Sequence, residues 1–124
     1  MSVLAVVEDR RVIRWLIEGQ FLMNSVGIDV IPFGSTGKIL EGIRGGAKYD
    51  LVLIGTLPNG ESGLECAEKI LALNPDIQVA AITDNITEKK VFLDKGLRTI
   101  SSGNTLWDLQ ILIENIFEVE LPTK

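Results

Sequence analysis

The chain has 124 residues, and acidic side chains outnumber basic ones, so its formal net charge is −5. At this length a single domain buries roughly two thirds of its unfolded surface without metals or disulfides. The composition, 46% hydrophobic and 23% charged, is that of an ordered globular protein. The acidic balance argues against direct nucleic-acid binding, because phosphate backbones are bound chiefly by excess lysine and arginine.

Two scarce residue types exclude several kinds of site. Histidine is absent and Cys66 is the single cysteine, which excludes Ser-His-Asp catalysis, Cys-His catalysis, His-ligated zinc and an internal disulfide. The start of the chain has no basic segment before its short apolar run, and no apolar run approaches the roughly 18 residues that span a bilayer. We therefore expect no signal peptide and no membrane contact, and the cytoplasm as the compartment.

Short apolar segments rich in β-branched residues alternate with segments of helical spacing. The predicted strands are residues 3–7, 28–31, 51–54, 79–82 and 97–100. The predicted helices are a first with the apolar stripe Ile13, Leu16, Ile17 and Phe21; a second over 38–43 after Ser35 and before Gly45-Gly46; a third from Ser62 to Asn74-Pro75; a fourth over 86–94 between Asn85 and Gly96; and a fifth over 106–117.

This βα alternation predicts a doubly wound α/β fold over residues 1–118, followed by a tail or linker at 119–124. Strands that are apolar throughout are buried on both faces, which implies a mostly parallel sheet covered by helices on each side. In such sheets ligands bind outside the carboxyl ends of the strands. Functional residues are therefore expected after the strands, at Glu8-Asp9, 55–60, Thr83-Asp84 and 101–104.

Two groups at these strand ends have alternative interpretations. Glu8 and Asp9 are hard oxygen ligands suited to Mg²⁺, or else an acidic pair that favours the start of a helix. The hydroxyl of Thr83 either faces the same cleft or bonds a neighbouring backbone group.

Four features are informative together: the order of elements, the acidic pair Glu8-Asp9, Thr83, and the segment LPNGESGLE (57–65). In these features the chain resembles a response-regulator receiver domain over almost its whole length. The resemblance implies a (βα)5 three-layer sandwich with strand order 2-1-3-4-5. It also implies that Glu8 and Asp9 hold Mg²⁺, that Thr83 is the switch hydroxyl, and that an Asp ending the third strand accepts a phosphoryl group.

The chain departs from this family at two positions that carry the chemistry. Counting back from Gly63 places Gly55 at the phosphoacceptor position, and Asp50 lies at the opposite end of the strand. No Lys lies between Lys95 and Lys124, so the family's cation after the fifth strand is also missing. Glycine has no side chain to phosphorylate, and we expect at most weak Mg²⁺ binding. The remaining pocket rim is predicted at Thr56, Asp84, Ser102 and Gly103.

Two other features have structural explanations. FGSTGKI (33–39) lacks the first Gly and the final Ser or Thr of a phosphate-binding P-loop, so a strand-to-helix turn capped by Ser35 is predicted. Cys66 shares a helical stripe with Ile70, which favours a buried, unreactive thiol.

Protein contacts are predicted at residues outside the core stripes. Trp15 is out of phase with the first stripe, and Trp107 and Ile111 lie together on a second face of the last helix. They either anchor a partner or pack against a neighbouring element. Receiver domains associate through the face of the fourth helix, fifth strand and fifth helix, so the resemblance implies a protein partner or a homodimer there. A histidine kinase and a fused output domain are the candidate partners.

The leading hypothesis is a receiver-like signalling module that is not an enzyme, requires no cofactor and acts by phosphorylation-independent protein contacts. One alternative is a phosphorylatable receiver that uses another acceptor, Glu61, Thr56 or Ser62. The other is a small-molecule sensor that uses the space left beside Gly55.

Overall fold

The computed structural model of the protein describes residues 2–11, 17, 28–101 and 111. In chain order its regular elements are β1 Ser2–Val7, β2 Ile28–Phe33, α1 Thr36–Arg44, β3 Leu51–Ile54, a 3₁₀ turn Pro58–Gly60, α2 Gly63–Leu73, β4 Gln78–Ile82, α3 Ile86–Asp94 and β5 Arg98–Ile100. Helices α1, α2 and α3 are the second, third and fourth helices of the sequence prediction. Ile17 and Ile111 are helical, but most of the first and fifth predicted helices and the tail 119–124 lie outside the described residues.

The five strands form one parallel sheet in the order β2-β1-β3-β4-β5, which confirms the predicted strand order. Strand β1 lies between β2 and β3, so that Leu4 is beside both Val30 and Leu51. Because every strand runs in the same direction, all carboxyl ends meet at one edge of the sheet. This geometry brings the segments after β1, β3, β4 and β5 together.

The three central strands β1, β3 and β4 are buried on both faces, as their continuous apolar runs predict. All four residues of β3 are buried, and so are residues 79–82 of β4. On one face Val52 and Ile54 pack in a cluster with Ile39 of α1 and Ile70 of α2. Burial of each such aliphatic side chain stabilises the folded state by about 1.5–3 kcal/mol. This layer therefore holds α1 and α2 against the sheet.

The predicted helix ends agree closely with the structure. The side-chain oxygens of Ser35, Ser62 and Asn85 accept hydrogen bonds from the backbone N–H groups of Lys38, Glu65 and Glu88, at 3.3, 3.3 and 2.9 Å. These bonds satisfy donors at the first turns of α1, α2 and α3. FGSTGKI is therefore a strand-to-helix turn, as predicted.

Glycine and proline end the helices where the sequence predicts. Gly46 and Gly96 follow α1 and α3 with φ angles of 97° and 76°, a conformation that glycine adopts without strain. Helix α2 ends at Leu73, and Asn74 caps it before Pro75.

The predicted end of the second strand was wrong by two residues. The prediction followed the apolar run and stopped at Ile31, whereas β2 continues through Pro32 to Phe33. Since β2 is an edge strand with β1 on one side, the missing donor of Pro32 need not interrupt the ladder.

The last strand is one residue shorter than predicted. β5 begins at Arg98, because the N–H of Leu97 donates instead to the carbonyl of Phe92 and closes the turn after α3. Within the described part of the chain, no helix is both long enough and apolar enough to cross a bilayer.

Candidate functional site

The carboxyl edge of the sheet contains a pocket of about 400 Å³ between the segments that follow β3 and β4. It is lined on one side by Gly55 and Thr56, and on the other by Thr83 and Asp84. Arg10 reaches the pocket from the segment after β1. The structure thus brings together four predicted residues and one that the sequence analysis did not single out.

Glu8 lies beneath this pocket and is 0% exposed. Its Oε1 accepts two hydrogen bonds from the guanidinium of Arg10, from Nε at 3.1 Å and from Nη2 at 2.7 Å. Its Oε2 accepts from the backbone N–H of Arg10 at 2.9 Å and from that of Thr56 at 3.2 Å. The buried charge is therefore paired and its acceptor positions are used, which is what burial of a carboxylate requires.

Gly55 is the reason that Glu8 fits in this position. A Cβ built on Gly55 would overlap Oε1 of Glu8 and would lie 2.7 Å from its Cδ, closer than real Cβ atoms approach. The carboxylate of Glu8 thus occupies the place where any side chain at residue 55 would begin. A pocket does lie beside Gly55, as expected, but the position of a side chain at residue 55 is itself taken by Glu8, the residue that directly follows β1.

Backbone hydrogen bonds continue the pairing of β1 and β3 beyond the ends of the strands. The N–H of Gly55 donates to the carbonyl of Val7, and the N–H of Asp9 donates to the carbonyl of Thr56, at 2.9 and 2.8 Å. The bond from the Thr56 N–H to Glu8 adds a third link. The start of the β3–α2 segment is therefore attached to the end of β1.

The described residues do not fit the Mg²⁺ ion that the receiver fold implies. Glu8 is engaged by Arg10 and Thr56, and Gly55 offers no carboxylate. Asp9 is exposed beside them. Among the residues that the structure describes, no group of three acidic, histidine or cysteine side chains is placed to hold a metal.

The segment after β4 is stabilised by one local bond and by two bonds to the end of β5. The hydroxyl of Thr83 accepts from the backbone N–H of Asn85 at 3.1 Å, and the N–H of Thr83 donates to the carbonyl of Ile100 at 2.9 Å. The hydroxyl of Ser101 donates to Oδ1 of Asp84 at 2.6 Å. Thr83 bonds a neighbouring backbone group, which is one of its two predicted roles; its switch role stays a prediction.

Two other acidic residues, Glu61 and Asp50, also accept hydrogen bonds. Oε2 of Glu61 accepts from the hydroxyl of Thr36 at 2.8 Å. Oδ2 of Asp50 accepts from the N–H of Val3 at 2.7 Å, at the opposite edge of the sheet from the pocket. The prediction that Asp50 is at the wrong end of its strand is confirmed.

Cys66 is buried in α2, as its place on the apolar stripe predicts. Burial raises the pKa of its thiol, and a hydrogen bond with Thr36 opposes that rise. The group is therefore a neutral thiol near pH 7 and a poor nucleophile.

Several predicted residues lie outside the described part of the chain: Ser102, Gly103, Trp15 and Trp107. Ile111 is described, and it is 47% exposed, which fits its predicted place off the core stripe. The residue that sequence reasoning missed is Arg10. The sequence did contain a sign of this role, because an arginine two residues after an acidic side chain can pair with that carboxylate.

Comparison with solved structures identifies the fold as that of response-regulator receiver domains. A receiver domain protein from Clostridium thermocellum matches with a TM-score of 0.81 and 20% identity, over 95% of each chain. The response regulator TrrA from Thermotoga maritima, solved with Mg²⁺-BeF, matches with a TM-score of 0.77 and 20% identity over 94% of this chain and 99% of that one.

A third structure, the non-phosphorylated HemR receiver domain from Leptospira biflexa, matches with a TM-score of 0.76 and 19% identity over 100% of both chains. No family model matches the sequence, and no curated protein matches it. The likeness is therefore one of fold, and the function must be argued from the site.

Proposed function

We propose that this protein is a receiver-like signal-transduction module of the two-component type that works through protein contacts and not through an acyl phosphate at residue 55. The observation that carries the proposal is the exchange of groups at the pocket. Gly55 stands where the resemblance to receiver domains places the acceptor, and the Glu8 carboxylate, paired with Arg10, occupies the space that a side chain at residue 55 would need.

The chemistry of phosphoryl transfer supports this proposal. The reaction depends on a positioned nucleophile and on cations that neutralise the charge of the transferred group. Glu8 is a carboxylate in the right region, but it is buried and both its oxygens accept hydrogen bonds. A phosphate donor cannot reach it without first breaking the pair with Arg10. We therefore assign the domain no enzymatic role and no required cofactor.

The surface of α3 and β5 supports a role in protein binding. Ile86 is 84% exposed and Leu93 is 51% exposed, so α3 presents apolar side chains to solvent. Residues 86–100 also carry four cations against two carboxylates, in a chain whose net charge is −5. An exposed surface that is both apolar and basic suits a protein partner with an acidic rim. Such a partner is a histidine kinase, a fused output domain or a second copy of the chain.

Phosphorylation is tested by intact mass after incubation with acetyl phosphate and Mg²⁺, beside a receiver domain that has its acceptor Asp. The wild type is expected to keep its mass while the control gains one phosphoryl group. If the wild type gained that mass, the proposal would fail, and Glu61, Thr56 and Ser62 would be the first positions to map because all three are exposed.

Two variants separate a missing acceptor from a blocked one. Gly55→Asp alone is expected to stay largely unmodified, because its Cβ would overlap Glu8. Gly55→Asp combined with Glu8→Asp shortens the blocking side chain by one methylene and is expected to accept more phosphate. Equal modification of the single and double variants would show that Glu8 does not block the position.

The contact surface is tested by sedimentation of the wild type over a range of concentrations. If the partner is a second copy, Ile86→Ser with Leu93→Ser should abolish the dimer. Ile31→Ser is the matched control, because Ile31 is also apolar and exposed but lies on β2. A monomeric wild type would exclude the homodimer, and a cross-linker at residue 86 would then be used to find a separate partner.

A further inference from the structure

We infer that Arg10 is the resident cation of the pocket, in place of the divalent metal that the fold implies, so that the domain neither needs nor binds Mg²⁺ there. This inference goes beyond the proposed function, and it holds whichever partner the domain binds. It starts from the four hydrogen bonds that converge on the Glu8 carboxylate.

The guanidinium of Arg10 satisfies the charge of Glu8 directly. Nη2 lies 2.7 Å from Oε1 in a charge-assisted bond, and Nε of the same group bonds the same oxygen. Arginine is suited to this role, because its planar fork of donors stays protonated and loses little freedom for each bond formed. The side chain of Arg10 is 39% exposed while that of Glu8 is 0% exposed, so the pair places the cation at the pocket and the carboxylate beneath it.

A Mg²⁺ ion would have to displace this arrangement. Magnesium requires near-octahedral oxygen ligands at about 2.0–2.1 Å and gives up its water reluctantly. A carboxylate has about four lone-pair positions, and four N–H groups already point at those of Glu8. The positive guanidinium also repels a divalent cation at the same oxygens.

Two features of this site, the missing Cβ of Gly55 and the guanidinium of Arg10, thus act together. The absence of a Cβ at Gly55 lets Glu8 reach across to the N–H of Thr56. Arg10 then supplies the charge that would otherwise be missing at that edge of the sheet. The result is a carboxylate that, together with two backbone hydrogen bonds, links the ends of β1 and β3 without a metal ion.

The experiment compares wild type with Arg10→Ala and with Arg11→Ala. Thermal unfolding is measured with and without Mg²⁺. Mn²⁺, a paramagnetic ion that prefers the same oxygen ligands as Mg²⁺, then locates the bound metal by NMR. Arg11 is the matched control, since it is exposed, adjacent and equally charged. With Mg²⁺ at about 10 mM, wild type and Arg11→Ala are expected to show no metal-dependent rise in melting temperature. Arg10→Ala is expected to gain such a rise, together with Mn²⁺ broadening of the amide signals of residues 8–10.

A measurement on the wild type covers the case in which Arg10→Ala does not fold. The Nε–H signal of Arg10 and the N–H signal of Thr56 should stay at the same position throughout a Mg²⁺ titration. A saturable shift of both signals would show that metal displaces the guanidinium and would overturn the inference. An Arg10→Ala protein that folds but responds to Mn²⁺ no more than Arg11→Ala would overturn it as well.

Discussion

The connection from β3 to α2 and the connection from β4 to α3 start at the same pocket and yet are stabilised differently. Both lead into a helix with the same capping pattern, Ser62 with Glu65 and Asn85 with Glu88. The first connection is attached to β1 through Glu8. It leads to a helix that buries Cys66, Ala67 and Ile70. The second is attached to the end of β5 through Thr83 and Asp84, contains a local turn at Thr83, and leads to a helix that buries only Phe92.

This contrast shows that similar local signals can start two helices with different degrees of packing. The caps decide where α2 and α3 begin, because they satisfy backbone donors within four residues. The apolar surface behind each helix decides how firmly it is held. The α2 side of the pocket is therefore the more firmly packed one. The α3 side presents Ile86 and Leu93 to a partner.

The largest expected effect is at the single buried side chain of α3. Phe92→Ala should lower the free energy of unfolding by about 3–5 kcal/mol, because Phe92 is fully buried and the deletion leaves a cavity. Val91→Ala is the control on the same helix, and a loss within about 0.5 kcal/mol is expected because Val91 is exposed. Denaturant unfolding measures both, and equal losses would contradict the view that one residue anchors α3.

The next effect concerns Gly55, where an added methyl group should be unfavourable. Gly55→Ala is expected to cost about 1–3 kcal/mol, because its Cβ would force Glu8 from its place beside Thr56. Gly37→Ala should have the opposite sign and add up to about 1 kcal/mol, since Gly37 lies in α1 and its Cβ would meet only Ser35 Oγ at 3.9 Å. If Gly55→Ala were as stable as wild type, Glu8 would not need the space at residue 55.

The caps of α2 and α3 should contribute equally to the free energy of unfolding, although the two helices differ in burial. Ser62→Ala and Asn85→Ala are each expected to cost about 1 kcal/mol, because each removes one acceptor from a backbone N–H. Thermal and denaturant unfolding of the two variants provide the comparison. A cost at Asn85 several times that at Ser62 would mean that the start of α3 depends on its cap far more than the packed α2 does.

The smallest effect is a pH dependence on the α2 side. Burial raises the pKa of the Cys66 thiol, so the unfolded chain loses this proton at a lower pH than the folded protein. The stability that Cys66 contributes is therefore complete below the unfolded pKa, near pH 8.5, and is lost as the pH rises through the folded pKa.

The unfolding free energy of wild type should fall more steeply between pH 8 and 10 than that of Cys66→Ala. Burial also raises the pKa of Tyr49, which both proteins retain, so neither curve should be flat. Identical slopes would mean that the thiol titrates alike in the folded and unfolded chains.

Most of the fold was predictable because the signals that define it are local. Asn85 and Gly96 bound α3 at the predicted residues, since a cap and a C-terminal glycine act within one turn. The third strand was predicted without error, because its four apolar residues form a run buried on both faces. The end of β2 was missed because the sequence pattern does not show which strands lie at the edge of the sheet. A proline such as Pro32 interrupts a central strand but is tolerated in an edge strand, and β2 is an edge strand.

The position of the candidate pocket was predicted from the sequence, but the side chain that lies against Gly55 was not. Gly55, Thr56, Thr83 and Asp84 do line one pocket, because parallel strands place their carboxyl ends together. The contact of Glu8 with Gly55 and Thr56 beneath that pocket was not predicted, because Glu8 and Thr56 are 48 positions apart in the chain.

By itself, the sequence determined the order of the elements, the helix caps and the absence of a carboxylate at residue 55, since each follows from residue type and short-range spacing. Only the tertiary structure decided which side chain takes the vacated position and which cation neutralises it. Glu8 reaches that position because β1 and β3 are neighbours in the sheet, and Arg10 lies beside it as the ion-pair partner of its carboxylate. A buried carboxylate is tolerated only with such partners, and their placement is a property of the folded chain.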